Sequence, residues 1–420
     1  MSAHSADWTA FWAEARDINI MDLWARLGAP SPLKRAGVEF VGPCPACGGS
    51  DRFAINPRQG VFNCRGSEGG DAIKLVEHVR GLSNIEAAEF ILERDRPGGR
   101  REETDEEREA REARARQWRE AAQLRLAREA KEAAAKRKRD QEACEAILSR
   151  AVKLEGTHGE AYFRERGLTP PRRMLGDVRF VAGVDYWGVP KPYLKNQQLE
   201  HLATLPAVVC VIRDIEGRPV AIHMTFLDPD KPSKWVAPWE ADVPKKERLN
   251  PSKKIRNIAE TWSGGMIRLG LIGERLAIAE GVETALSWHA MGYGPEDISI
   301  AAAASLDNLV GGVTGSVDHP VKRKPDGSPY RIANGWPAPD KPGVLLPEWV
   351  REVIILGDGD SDPWHTQGRI AAQVRRWKAQ GRVVSVHMAP PRCDWNNALV
   401  LQRRLEAKAL AAQIAGGSAA

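Results

Sequence analysis

Apolar and polar positions change rhythm several times along the chain, and each change marks a part. Trp12, Ile20, Leu23, Trp24 and Leu27 form an apolar stripe that predicts a helix over residues 9–28, stopped by Gly28 and the Pro30/Pro32 pair. Residues 37–92 open with short strand-like runs and cysteines and finish in helical periodicity, before Pro97-Gly98-Gly99 breaks the chain. Residues 100–150 then lose the apolar pattern. They are almost all Arg, Lys, Glu, Gln and Ala, which predicts one long solvated helix laced with i,i+4 charge pairs. Its acidic start from Glu102 to Glu107 and its basic stretch at Lys131, Lys136, Arg137, Lys138 and Arg139 suit the helix dipole. It reads as a spacer, with a phosphate-contacting role for the basic end as the alternative.

Globular patterning resumes after Gly156. Residues 162–168 read as a helix end capped by glycine, and residues 208–212 and 219–226 as strands joined by a turn at Glu216-Gly217. Two apolar runs follow. Leu276-Ala277-Ile278-Ala279 leads into Glu280-Gly281, and Val353-Ile354-Ile355-Leu356 leads into Gly357-Asp358-Gly359-Asp360. Buried strands ending in glycine and a carboxylate, with helices between them, predict a parallel sheet that gathers acids at one edge. Residues 311–345, rich in Gly, Pro and charge, interrupt this pattern and predict a surface excursion. Carboxylates crowded together raise one another's pKa unless a cation neutralises them. Oxygen-only ligands favour Mg2+ or Mn2+, and such ions commonly handle phosphates.

Composition narrows the classes without choosing among them. The 420 residues allow two to four domains, and a net charge of +5 permits nucleic-acid binding without demanding it. No run of about 18 apolar residues predicts a membrane span. The N-terminus lacks the basic region of a secretory signal. Six cysteines, three of them clustered, fit a metal site in a reducing compartment, so a cytoplasmic location is expected. There is no phosphate-binding GxxxxGK[ST] loop.

Cys44-Pro45-Ala46-Cys47 forms one metal knuckle, and Cys64 lies seventeen positions after Cys47. The residue that would complete a second knuckle is Ser67, a poor zinc ligand. Three outcomes stay open. Zinc is held by Cys44, Cys47 and Cys64 with His78, Glu68 or water as the fourth ligand; or Ser67 leaves a labile site; or the ribbon folds without metal. Cys144, Cys210 and Cys393 read as small apolar residues.

Glu280-Gly281-Val282-Glu283-Thr284-Ala285-Leu286-Ser287 with the later Asp358-Gly359-Asp360 resembles the Toprim domain over roughly residues 271–400. Gly42-Pro43-Cys44-Pro45-Ala46-Cys47-Gly48-Gly49, Asp51-Arg52-Phe53, Phe62-Asn63-Cys64 and Gly69-Gly70-Asp71-Ala72-Ile73 resemble the zinc-binding domain of bacterial and phage primases. Residues 211–221, Ser252-Lys253-Lys254-Ile255-Arg256 and 264–269 are similar to segments of the primase catalytic core.

The resemblance implies an α+β multidomain chain. Its expected parts are an N-terminal helical segment (1–36), a zinc-ribbon-like DNA-binding domain (37–98), a charged helical linker (99–150), the first part of a primase-like core (151–270), a Rossmann-like Toprim domain (271–400) and a tail (401–420). It also implies a Mg2+-dependent primer polymerase acting on single-stranded DNA and nucleoside triphosphates, for a phage, plasmid or integrated element, with a separate helicase as partner. Asp358 and Asp360 are then the metal ligands. Glu280 shares a metal or helps deprotonate the attacking hydroxyl, and Asp362 and Asp394 are secondary candidates. Asn397 stands where relatives often carry an acid. Glu283 falls three residues after Glu280, where primases more often place an aspartate at the fourth. Arg213, Lys253, Lys254 and Arg256 are the expected nucleic-acid contacts. A Toprim nuclease and a non-catalytic DNA-binding descendant of a primase are the alternatives.

Overall fold

The computed structural model describes residues 3–28, 30–36, 38–99, 105–191, 193, 198–295 and 297–417. The chain is a mixed α+β protein that divides into two compact units, Met1–Lys136 and Arg137–Ala420.

In the first unit, the single N-terminal helix expected from the sequence is two. Helix α1 (Ala3–Arg16) ends before Asn19, whose side chain accepts the Met21 and Asp22 amides and starts α2 (Ile20–Arg26) afresh. Five antiparallel strands follow in simple order: β1 (Lys34–Ala36), β2 (Glu39–Cys44), β3 (Gly48–Asn56), β4 (Val61–Cys64) and β5 (Gly69–Gly70). Helix α3 (Ala72–Arg80) is capped by Asp71 at its start and by left-handed Gly81 at its end. Helix α4 (Asn84–Leu92) opens with a capping box between Ser83 and Glu86. The core joins Trp24, Phe53 and Phe62 to the buried face of α3. Helix α5 (Asp105–Ser149) is the charged rod read from the sequence; Glu102, in its expected acidic start, lies outside the described residues. Within this unit Glu129 of α5 accepts the Gly49 amide at 2.9 Å and pairs with Arg52.

The second unit begins with the end of α5, where Cys144 and Ile147 are buried against Val181, Val184 and Tyr186. Helix α6 (His158–Glu165) follows, then an antiparallel sheet of β6 (Val178–Gly188), β7 (Glu200–Arg213), β8 (Pro219–Phe226) and β9 (Lys253–Asn257). A β-bridge between Arg213 and Met266 links it to a second sheet.

That second sheet contains β10 (Ile267–Arg268), β11 (Arg275–Ala279), β12 (Ser299–Ala302), β15 (Glu352–Gly357) and β16 (Val383–Met388), in the order β10-β12-β11-β15-β16. All pairs except β10 with β12 are parallel. Helix α7 (Val282–Ala290) connects β11 to β12, and α8 (Leu306–Val310) comes next. A hairpin of β13 (Ser316–Arg323) and β14 (Pro329–Ala333) then precedes β15. Helix α9 (Pro363–Ala379) connects β15 to β16, and α10 (Trp395–Gly417) closes the chain. Ala277 and Ala279 of β11 share a core with Val282, Leu286 and Trp288 of α7, whereas Leu276 and Ile278 share one with Ile370 and Trp377 of α9. The two helices therefore cover opposite faces, as the two-residue period of a doubly buried strand requires.

Strand order decides where chemistry can sit. From β11 the chain moves through α7 to β12 on one side. It later returns to β15 on the other side of β11 and continues outward to β16. The connections diverge between β11 and β15, the place at which a sheet of this kind opens a crevice beyond the carboxyl ends of its strands.

Candidate functional sites

Glu280 follows the last residue of β11, and Asp358 the last residue of β15. The parallel register places Ala279 opposite Leu356, so Glu280 lies beside Gly357 with Asp358 one residue on. Neighbouring strands stand about 4.8 Å apart, so both acids open into the same crevice. The segment after β16 closes over it: the Gly359 amide donates to the Cys393 carbonyl at 2.9 Å, and the Arg392 amide to the Gly359 carbonyl at 2.7 Å. A Cβ on residue 359 would meet the Pro390 carbonyl oxygen at 2.2 Å, so only glycine allows this approach. Asp394 is carried to the same place and caps α10 by accepting the Asn397 amide at 2.7 Å. Asn397 itself is exposed.

Crowding is visible in the acids. Burial, then the negative charges of Asp394, Glu280 and Asp360, push the Asp358 carboxyl up to about 7. Burial also raises Glu280, against the pull of Lys253 and a hydrogen bond from the Leu306 backbone. The Thr284 hydroxyl, in the first turn of α7, donates to Asp358 at 3.4 Å. Asp362 stands apart from this group. It caps α9 through the Trp364 and His365 amides and pairs with Lys322 and His319, and these bonds hold its carboxyl far below the usual carboxylate range.

Glu283 belongs to a different cluster. It is buried, accepts the Tyr162 hydroxyl at 2.8 Å and pairs with Lys234 and Lys253, each at 3.0 Å. Burial alone would raise this carboxyl, but Lys253, Lys234 and Arg166 hold it well below its ordinary value. Burial would lower Lys253, yet Glu283 and Glu280 raise it, while Lys234 is pushed down to about 8 by burial. His223 is buried beside them, its Nδ1 without a partner among the described residues, and burial pushes it down to about 4.

Removing the Glu283 charge would leave two lysines without their counter-ion. Glu283→Gln is expected to cost about 3–5 kcal/mol in urea unfolding at neutral pH. A depressed carboxyl stabilises the fold above its unfolded pKa, and that contribution is lost as pH falls through the folded value. The gap between variant and wild type should therefore shrink below about pH 4; a constant gap down to pH 2 would contradict the pairing.

The four bases expected to contact nucleic acid do not share a surface. Lys253 and Lys254 are consecutive on β9 and point to opposite faces. Lys253 faces Glu283, whereas Lys254 lies 3.8 Å from the centre of the Tyr186 ring and donates to the Trp187 carbonyl. Arg256 shares the Lys254 face, by the same alternation. Arg213 is committed to Asp177 through bonds of 2.8–2.9 Å and to the Gly217 carbonyl. Lys234, Arg166 and Tyr162 were missed by sequence reasoning; they lie on separate elements, with no shared motif to flag them.

The cysteines form a second site. Cys44 ends β2, Cys47 lies in the turn to β3 and Cys64 ends β4. The three thiols and the His78 imidazole all lie within 4.8 Å of one another, and all four residues are buried. Cys44 Sγ is 3.1 Å from His78 Nε2. His78 projects from the buried face of α3 and stacks against Phe53 with an interplanar angle of 7°. Three cysteines and an imidazole gathered this closely are a zinc-type donor set. Ser67 and Glu68 are exposed on the turn after β4, which leaves His78 as the fourth donor. Burial pushes the Cys44 thiol up to about 12. Cys144 and Cys210 are buried outside this group, and Cys393 is half-buried. Among the described residues, the acids of the parallel sheet do not close to such a spacing as a set.

Comparison with known proteins found partial similarities. Residues 138–257 match a family described as a domain of unknown function (DUF7146). Over 81 residues the chain is 30% identical to a DNA primase of Halalkalibacterium halodurans, a match covering 19% of this chain and 13% of that protein. Among solved structures, the DnaG primase catalytic domain bound to single-stranded DNA is similar at TM-score 0.34 and 15% identity, over 65% of this chain and 81% of that one. A DNA primase domain from Pseudomonas aeruginosa is similar at TM-score 0.29 and 13% identity, over 58% and 67%. The sequence similarity to that primase is confined to 81 residues, so the chain spans only a small part of the relative's length. No helix among the described residues is long and apolar enough to cross a membrane.

Proposed function

We propose that the chain is a primase-like nucleotidyltransferase that builds short primers on single-stranded DNA. The observation that carries this reading is the crevice between β11 and β15. Strand order alone brings Glu280 and Asp358 side by side there, with Asp360 and Asp394 close enough to raise the Asp358 pKa. The sequence similarity to a DNA primase supports it.

Asp358 and Asp360, with Glu280, would hold Mg2+ or Mn2+, which supplies charge neutralisation for a triphosphate and its departing pyrophosphate. Alternatively, Glu280 would not share the metal but take the proton of an attacking 3′-hydroxyl. Lys253 reaches toward Glu280 while Glu283 anchors it, so its charge stays fixed at the crevice wall. Lys234, with its depressed pKa, adds a second cation for an incoming phosphate. In the reaction, the hydroxyl oxygen bonds to the α-phosphorus, the bond to the bridging oxygen breaks, and pyrophosphate leaves. The Cys44, Cys47, Cys64 and His78 group would hold zinc and fix the ribbon as a template-binding surface. The Toprim assignment, the mobile-element setting, a separate helicase and a cytoplasmic location belong to the same reading.

Incubation with single-stranded DNA, Mg2+ and labelled ribonucleotides is the test. Products longer than one nucleotide are expected. Cut template would indicate a nuclease using the same acids, and neither product would indicate a DNA-binding protein without catalysis.

A further inference from the structure

The hairpin between β12 and β15 carries a bulge fastened to the acidic loop. Its register pairs Asp318 with Arg331 and then Arg323 with Pro329, so residues 319–322 of β13 stand opposite Tyr330 alone. A bulge of this size re-aims the strand. The buried His319 sets its shape: Nδ1 accepts the Val321 amide at 3.0 Å and the Lys322 amide at 2.8 Å. The ring proton is therefore on Nε2, which faces Asp362 at 3.2 Å. Lys322 pairs with the same carboxylate. Asp362 lies two residues beyond Asp360, so the bulge is tied to the loop that bears Asp358 and Asp360.

The outward side of this feature carries exposed side chains, although Arg323 also donates to the His319 carbonyl at 2.8 Å. Val321 is 73% exposed, Tyr330 46% and Trp364, at the start of α9, 48%. Arg323 and Lys324 are exposed beside them. Lys322 pairs with Asp362 and Arg331 with Asp318, which leaves Arg323 and Lys324 against Asp326 in this stretch. Uncovered aromatic rings set among cations match unpaired bases joined by phosphates. A duplex would hide its base faces from the rings, and a cationic partner protein would be repelled.

We propose that the bulged hairpin over residues 316–333, with Trp364, is a contact for single-stranded DNA beside the acidic crevice. Tyr330 and Trp364 stack on bases, and Arg323 and Lys324 track the phosphates. The proposal rests on reading the crevice as a site that acts on single-stranded DNA.

The test uses the full chain and a fluorescein-labelled oligo(dT), read by fluorescence anisotropy across a salt series. Tyr330→Ala combined with Lys324→Glu is expected to weaken binding about tenfold or more. The log–log salt slope should become shallower by about one unit, with the melting temperature unchanged because both side chains are exposed. A bromodeoxyuridine oligomer should crosslink to the peptide containing Tyr330. If wild type binds and the double variant binds equally well, or the crosslink maps elsewhere, the hairpin contact is wrong and the crevice reading stands. If wild type itself does not bind the oligomer, both fall. Equal affinity of wild type for duplex and single strand would also overturn the hairpin contact.

Discussion

Glu280→Gln and Asp358→Asn are expected to lower nucleotide incorporation by more than about 100-fold while leaving affinity for single-stranded DNA near that of wild type. Losing the groups that merely orient a metal's ligands already costs about 10–100-fold, and losing a ligand should cost more. The fold should tolerate both changes, because the acids lie past the strand ends and outside the apolar cores. Asp358 gives a sharper expectation. Its carboxyl is raised to about 7, so ionising it at neutral pH works against the folded state when no cation is bound. Asp358→Asn should then melt at the same temperature as metal-free wild type or higher, while losing synthesis. A gain in stability together with a loss of activity is the mark of a strained functional site. Persistent synthesis in either variant would reject the catalytic assignment and leave a DNA-binding protein.

His78→Ala, or treatment with a strong chelator, is expected to unfold the ribbon. Zinc in small structural sites contributes about 10–16 kcal/mol of apparent binding free energy, which exceeds what a small core supplies. Here the ligands are themselves core residues, packed with Phe53, Phe62 and the buried face of α3. Elemental analysis should find about one zinc per wild-type chain and clearly less in His78→Ala. Limited proteolysis should then cut within residues 39–92 of the variant while sparing the second unit. Ser67→Ala is the control: its side chain is exposed on the turn, so zinc content and protease resistance should not change. Full zinc in His78→Ala, or its loss in Ser67→Ala, would reverse the ligand assignment.

How much of this was legible follows from how far each signal extends along the chain. The rod α5 and the strands β11 and β15 announce themselves through local composition, and Glu280, Asp358 and Asp360 stand directly after the apolar runs that place them. His78 could be named only as one of several fourth ligands, because nothing local says which polar residue of a helix faces three thiols. The break at Asn19 was hidden because the apolar stripe continues across it while one side chain restarts the helix. The surroundings of the basic residues were not legible, for a geometric reason. Lys253 and Lys254 are neighbours in sequence and therefore opposites on a strand. The base that does join Lys253 at Glu283, Lys234, comes from the loop after β8, and Arg166 from the end of α6. Such gatherings depend on tertiary packing and leave no periodic trace.

The crossover from β12 to β15 reverses the direction in which the sheet grows, and it also houses the hairpin. Loop closure becomes only slightly more costly as a surface connection lengthens. Sequence can thus be inserted, trimmed or exchanged at this point without disturbing the strand order that aligns Glu280 with Asp358. On the proposed reading, the architecture separates two kinds of change: the acids are locked into the sheet, while a contact for single-stranded DNA is free to drift in an appendage anchored by His319.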